Sequence, residues 1–431
     1  MAMYRGRVEA FHDDQLVVAR PDLRVVTQAL ADLGVRWGPI DASEALGLAL
    51  IRDLDGVGPA AGRLADDPDT GAEIERFRAE RSATRPGTLD VADLELLIKG
   101  IRAQLTRRYP GWEVTIGKNY GPSMVKGHPH IDGGGDGDPQ PTSARFGLPA
   151  SERGRGVRVG LLDTRLFPVT SLNGHYITAP DDLVDPDGRQ FTMFDGHCAF
   201  VASCILGRAP AAELLVHHVL DSKGEGSTWE AAKVIAEAAG AGLDVVNLSL
   251  GEFLTDDNSA PMVLETAVKR LGPETVVVAA AGNNGDVTEL TPEMVHEGVR
   301  PNSASYPAAL PDVVGVGALG QDGKRAAFTP DPAPWITLLA PGVGLTGAYV
   351  QGEVLIQHRN KDGDVIDSKP VSFGGTAIWE GCSFAAGIVS GEIAARTVPG
   401  HRSAREALDE LLHPHPGQHG CGILPNSQPG N

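Results

Sequence analysis

Ser383 stands where a glycine-rich stretch, Gly374-Gly-Thr-Ala-Ile-Trp-Glu-Gly-Cys382, meets the small and apolar run Phe384-Ala-Ala-Gly-Ile-Val-Ser-Gly391. This is the pattern of a loop entering a buried helix. A hydroxyl at a helix start serves either as an N-cap or as a nucleophile. The second role is open to it because the unpaired N–H groups and positive dipole end there suit a developing oxyanion. The choice turns on whether a base, an orienting carboxylate and a second oxyanion donor exist elsewhere. Asp163 closes the apolar run Val157-Arg-Val-Gly-Leu-Leu-Asp163, and His197 lies in Asp195-Gly-His-Cys-Ala-Phe-Val-Ala-Ser-Cys-Ile205, a turn entering an apolar helix. Asn283 sits in Gly282-Asn-Asn-Gly285, after the apolar run Thr275–Ala281. Singly, Asp163 could cap a turn, His197 could be a satisfied core histidine and Asn283 could hold a left-handed turn. Jointly, acid, base, amide donor and nucleophile occupy strand ends or helix starts of one α/β unit.

The elements that must position them are legible. Strands are expected at Val157–Asp163, Leu214–Leu220, Asp244–Leu250, Thr275–Ala281 and Asp312–Gly317, with helices near Thr228–Ala239 and Pro261–Leu271. Strands apolar on both faces, alternating with helices, predict a doubly wound parallel sheet covered on both sides. In such sheets sites gather at the carboxyl ends of strands, where Asp163, Ser249–Gly251 and Gly282–Gly285 fall.

Residues 1–126 read as a separate small α+β unit. A strand at Gln15–Ala19, a helix over Pro21–Leu33 with Pro at its start, a helix over Asp90–Arg108 and a strand at Trp112–Ile116 are expected. Leu46–Ile51 fits strand or short helix, and Asp55–Thr70 reads as turn-rich. Residues 127–150 read as a Gly/Pro-rich linker, 151–413 as the site-bearing domain and 414–431 as a flexible tail. Histidines in the linker and the tail read as solvated rather than metal-bound. Asp-Gly within Lys361–Asp364, between alternating segments around Gly352–Gln357 and Val371–Phe373, predicts a hairpin beside the nucleophile.

The chain has 431 residues and a net charge of −19, which argues against nucleic acid and anionic membrane as main partners. No apolar leader and no stretch of membrane-spanning length is read. Four cysteines, Cys198, Cys204, Cys382 and Cys421, fit neither a disulfide framework nor a zinc site. The expectation is a cytoplasmic protein with free thiols.

The order Asp163, His197, Ser383 is that of subtilisin, and residues 151–413 resemble the subtilisin-like (S8) serine peptidases. Val159-Gly-Leu-Leu-Asp-Thr, Gly196-His-Cys-Ala-Phe-Val-Ala, Val246-Asn-Leu-Ser-Leu-Gly251, Ala280-Ala-Gly-Asn-Asn-Gly285, Ser305-Tyr-Pro-Ala, Leu339-Ala-Pro-Gly342 and Gly381-Cys-Ser-Phe-Ala-Ala-Gly387 carry the likeness in order. The resemblance implies a serine endopeptidase acting on peptide or protein substrates. Ser383 would attack the scissile carbonyl, His197 would move the proton and Asp163 would hold the histidine tautomer. Asn283 and the Ser383 N–H would hold the oxyanion. Ser249, Leu250 and Gly251 would pair with an extended substrate, and Ala280, Ala281 and Gly282 would wall its main pocket. No cofactor is required. Calcium is common in the family, but no ligand set is legible.

Departures lie around these residues. Arg165 and Gly387 replace the family's Gly and Pro, Cys198-Ala-Phe200 follows the base, and Cys382 precedes the nucleophile. The cysteines read as buried filler. Glu252, Asp256 and Asp257 motivate a preference for basic residues upstream of the cut. Residues 1–126 read as a propeptide-like or regulatory unit, making the chain a dedicated processing protease. The rival reading is a catalytically impaired peptide-binding relative.

Overall fold

The computed structural model describes residues 3–5, 10–84, 91–120, 137–185, 190–254, 261–285, 303–359, 365–413 and 424–425. The N-terminal part runs β1 (Met3–Arg5), β2 (Ala10–Ala19), α1 (Leu23–Asp32), β3 (Ile40–Ser43), β4 (Leu48–Ile51), α2 (Val57–Asp66), α3 (Gly71–Thr84), α4 (Asp93–Arg108) and β5 (Ile116–Tyr120). Its sheet places β5, β2, β4 and β3 side by side, all antiparallel, with β1 also on β2. Two βαβ crossovers thus interlock as in a ferredoxin-like split unit.

Two local expectations are corrected here. The last strand begins at Ile116, not Trp112, because residues before it close the end of α4. The Trp112 ring stands edge-on to Tyr109 at 5.6 Å, and the Thr115 N–H donates to Asp22 Oδ2 at 2.8 Å. The turn-rich stretch after Asp55 contains α2, whose Ala60, Ala61 and Leu64 share one buried face at helical spacing. The ambiguous Leu46–Ile51 resolves as strand β4, buried throughout.

The remainder runs β6 (Gln140–Pro141), β7 (Arg158–Asp163), β8 (Tyr176–Thr178), β9 (Phe191–Thr192), α5 (His197–Arg208), β10 (Glu213–His218), α6 (Thr228–Ala238), β11 (Val245–Leu248), β12 (Glu252–Leu254), α7 (Met262–Arg270), β13 (Val276–Ala280), β14 (Ala304–Tyr306), β15 (Val313–Leu319), β16 (Ile336–Pro341), β17 (Leu345–Arg359), β18 (Val365–Trp379), α8 (Cys382–Arg396), α9 (Ala404–Leu412) and β19 (Leu424–Pro425). The main sheet has the order β19-β16-β15-β13-β11-β7-β10-β8, parallel except for β19. The doubly wound parallel α/β sheet is therefore as expected. The strand order reverses direction around β7 and β11, where Asp163 and Ser249 emerge. Leu424–Pro425 add an edge strand, so the tail read as flexible contains one paired segment.

One core packs α5 and α8 on a face of this sheet, around Val159, Val201, Val278 and Val389. A second, on the opposite face, is shared by α6, α7 and the N-terminal sheet, joining Trp229, Ile235 and Leu264 to Leu16, Leu50 and Ile116. Polar bonds finish that contact. Asp41 Oδ2 accepts from the Trp229 indole N–H at 2.8 Å and from Lys233 Nζ at 3.1 Å, and Arg270 donates to the Leu46 carbonyl at 2.9 Å. The predicted hairpin is present as β17 and β18, paired antiparallel from Leu345↔Trp379 to Arg359↔Val365; residues 360–364 lie outside the described residues.

Candidate active site

Three elements bring the predicted residues together. β7 delivers Asp163 at its carboxyl end, α5 begins at His197, and Ser383 is the second residue of α8. The entry to α5 is fixed locally. Asp195 accepts from the Thr192 N–H at 2.7 Å in a capping box. Gly196 is required next because a Cβ there would enter the Tyr349 ring.

His197 Nδ1 lies 2.7 Å from Asp163 Oδ1. An ionised carboxylate only accepts, so Nδ1 carries the proton and Nε2 is left as a base. Asp163 Oδ1 also accepts the Thr164 N–H at 2.7 Å, and Thr164 Oγ1 donates to the Phe194 carbonyl at 2.9 Å. Thr164 therefore ties the end of β7 to the turn before α5. Asp163, His197 and Ser383 are 0%, 2% and 2% exposed, a low-dielectric setting in which charge interactions are strong.

Ser383 Oγ lies 3.5 Å from the Ser249 carbonyl, and among the described residues no hydrogen bond joins it to His197. Long or absent contacts of this kind are common before substrate binds. The residue that follows Ser383 packs on His197: the Phe384 ring centroid is 5.4 Å from that of His197. Ser249 Oγ donates to the Ser383 carbonyl at 3.0 Å, and Asn247 Nδ2 donates to Ser390 Oγ at 3.0 Å. These bonds fix the end of β11 against the first turns of α8. Leu250 and Gly251 follow, both buried, leading into β12.

Asn283 Oδ1 accepts the Cys382 N–H at 2.9 Å. A backbone N–H can only donate, so the accepting atom is the oxygen and Nδ2 is the other end of the amide. The preceding Gly282 takes φ +110°, a backbone region closed to most side chains. Ala280 ends β13, and the Ala281 carbonyl accepts from the Trp335 indole at 3.2 Å.

Sequence reasoning missed the aromatic shell around His197. Trp379 stands edge-on to His197 at 5.6 Å, and Phe200, Tyr349 and Phe384 pack on Trp379 at 5.8, 5.7 and 5.0 Å. The signal was present in Trp379 and Phe384, which bracket Ser383 in the sequence. Tyr349, a further neighbour of Trp379, comes from the far strand of the hairpin.

The departures have definite places. Arg165 is engaged, donating Nε to the Asp181 carbonyl at 2.8 Å, with Nη2 3.2 Å from His218 Nε2. His218 Nδ1 then donates to Asp182 at 2.6 Å. Burial would raise the Asp182 carboxyl, but the His218 backbone and ring bonds hold it below the usual range. Cys198 and Cys382 are fully buried. Burial, aided by Asp163, pushes the Cys198 thiol well up, and burial takes Cys382 to about 11. Gly387 sits where α8 meets α5, in close approach to Cys204 and Val201.

Glu252 is not part of an acidic rim: it is buried and accepts from Thr228 Oγ1 at 3.0 Å. Asp256 and Asp257 lie outside the described residues. Among the described residues no cluster of three metal-ligating side chains occurs, and no helix is long and apolar enough to cross a membrane.

The subtilase family model matches residues 154–403. Subtilisin Savinase of Lederbergia lenta is 33% identical over 208 residues, covering 46% of this chain and 67% of that protein. The alkaline protease of Shouchella clausii is equally similar over 208 residues, which make up 48% of its length; the matched stretch thus spans only about half of some relatives. Among solved structures, fervidolysin from Fervidobacterium pennivorans, a keratinolytic enzyme related to subtilisin, matches with a TM-score of 0.53 at 16% identity, covering 89% of this chain and 54% of that one. That likeness concerns the fold. The family match takes in all three elements that carry Asp163, His197 and Ser383 and extends over more than half of the sequence, and on it the chain belongs to the subtilases, the S8 family of serine endopeptidases.

Proposed function

We propose that Asp163, His197 and Ser383 form the triad of this endopeptidase and that Asn283 completes its oxyanion hole. The observation that carries the reading is the 2.7 Å Asp163–His197 bond, set beside a serine at a buried helix start. Ser383 Oγ adds to the scissile carbonyl as His197 Nε2 takes its proton. The resulting imidazolium, stabilised by Asp163, protonates the leaving amine, and water then hydrolyses the acyl-enzyme by the same route. The Ser383 N–H, one of the unpaired donors at a helix start, and Asn283 Nδ2 hold the oxyanion. Ser249, Leu250 and Gly251 pair with the extended substrate upstream of the cut, while Ala280, Ala281 and Gly282 line its pocket. No cofactor takes part.

We further propose that the N-terminal sheet regulates a dedicated processing protease. Its seat on α6 and α7, through a shared core and the Asp41 bonds, supports this reading. The free buried thiols Cys198, Cys204 and Cys382 fit a reducing, cytoplasmic setting. The test is mass spectrometry of the purified chain alongside a peptide-hydrolysis assay. An intact, active chain marks a permanent regulator; a cut within the Gly127–Pro141 linker marks a propeptide; an intact chain without hydrolysis, still inert after residues 1–126 are removed, marks a peptide-binding relative.

A further inference from the structure

The strand that leads into the nucleophile already carries a guest. β6 pairs antiparallel with the end of β18, Pro141 opposite Ala377 and Gln140 opposite Ile378. Opposed pairs in an antiparallel ladder alternate between bonded and non-bonded. Pro141 has no N–H, so Gln140–Ile378 is the bonded pair. Beyond it, the Trp379 indole N–H donates to the Gly137 carbonyl at 2.6 Å. Trp379 lies edge-on to His197 and four residues before Ser383.

The direction of this guest is informative. Its amino end, Gly137, lies by Trp379, nearest the catalytic residues, and the chain then runs back along β18 toward Ala377. The leaving half of a peptide substrate has that polarity, with its new amino end at the site and its remainder running away. Main-chain pairing with a strand edge is sequence-tolerant and suits an extended peptide.

We propose that the Ala377–Trp379 edge, with the Trp379 N–H, is the recognition surface for substrate residues downstream of the cut, and that Gly137–Pro141 is its resident competitor. An extended peptide must displace this segment, whereas a substrate ending in a small leaving group need not. The inference rests on the endopeptidase reading above.

The test compares kcat/KM for two substrates of the full chain: a peptide anilide with nothing beyond the cut, and an internally quenched peptide with four residues beyond it. Gln140→Pro removes the segment's donor in the Gln140–Ile378 pair and is expected to raise the extended-to-anilide ratio by roughly three- to tenfold. Because the Trp379 N–H also holds the Gly137 carbonyl, Trp379→Phe is added to Gln140→Pro, where the segment is already loosened; loss of the donor there is expected to lower that ratio by a similar factor. A ratio unchanged in both variants, with Ser383 still labelled by a fluorophosphonate, overturns this inference alone. Absence of both labelling and hydrolysis, in the full chain and again after removal of residues 1–126, overturns the endopeptidase reading and the inference with it.

Discussion

The Cys382 N–H donates to the Asn283 side-chain oxygen across 2.9 Å and so orients the Asn283 amide. The bond joins the loop after β13 to the first residue of α8. With the oxygen held there, Nδ2 is the end of the amide that the proposed oxyanion hole would use. Asn283→Ala is therefore expected to lower kcat by about 10²–10³-fold with little change in KM, the loss known for this kind of donor in subtilisin itself. Steady-state kinetics on a peptide anilide checks this; an equal rise in KM with constant kcat would show a ground-state contact instead.

Asp163 holds His197 through Nδ1 and is itself held by the Thr164 N–H. Asp163→Asn presents an amide that can favour the opposite tautomer, leaving Nε2 protonated and useless as a base. We predict a fall in kcat of about 10⁴-fold at neutral pH with the fold intact. Kinetics paired with circular dichroism distinguishes lost chemistry from lost structure.

Cys198 and Cys382 adjoin His197 and Ser383 in the sequence, yet both are fully buried, and burial raises Cys198 well above the ordinary thiol range and Cys382 to about 11. Cys204 is pushed up to about 12 for the same reason. Thiolate is the reactive form. Iodoacetamide at pH 8 is predicted to leave activity unchanged, and peptide mapping should find these three sites modified only after denaturation. Rapid inactivation with adducts on Cys198 or Cys382 would contradict this burial.

Glu392 is buried on α8 among Arg396, Arg153 at 3.2 Å and Arg208 at 3.4 Å. Burial opposes its ionisation, but the Arg396 bond and the three positive charges prevail and lower its pKa from 4.5. The folded-state value is thus below the unfolded one. The stabilisation is present above about pH 4.5 and is lost as pH falls through the lower folded value. Glu392→Gln should cost about 2–3 kcal/mol at pH 7, below the full cost of breaking a buried pair because the arginines reach solvent. Denaturant melts at pH 7 and pH 3.5 check this: the difference from wild type should shrink at the lower pH.

Much of this arrangement was legible because the central strands are buried on both faces. Runs such as Thr275–Ala281 then leave little choice but a parallel sheet, and residues at their carboxyl ends become site candidates by position. The N-terminal sheet was harder to read, since β4 is short and buried throughout and so shows no alternation to tell a strand from a buried helix. The start of β5 was displaced because Val114 is as buried as Ile116 although only the latter is in the ladder. Contacts between distant segments left no local mark. Tyr349 reaches Trp379 only because β17 and β18 pair, and the Asp41 bonds to Trp229 and Lys233 arise only when the two sheets share α6 and α7. Glu252 read as a surface acid because nothing in its neighbours announces the Thr228 hydroxyl.

The most direct test of the central claim is labelling by a serine-directed fluorophosphonate, read by mass spectrometry on the full chain, on Ser383→Ala and on a chain lacking residues 1–126. The account predicts one adduct, on Ser383, in the wild-type chain or in the truncated one, and none in Ser383→Ala. An unlabelled Ser383 in both the full and the truncated proteins, each folded, would contradict it.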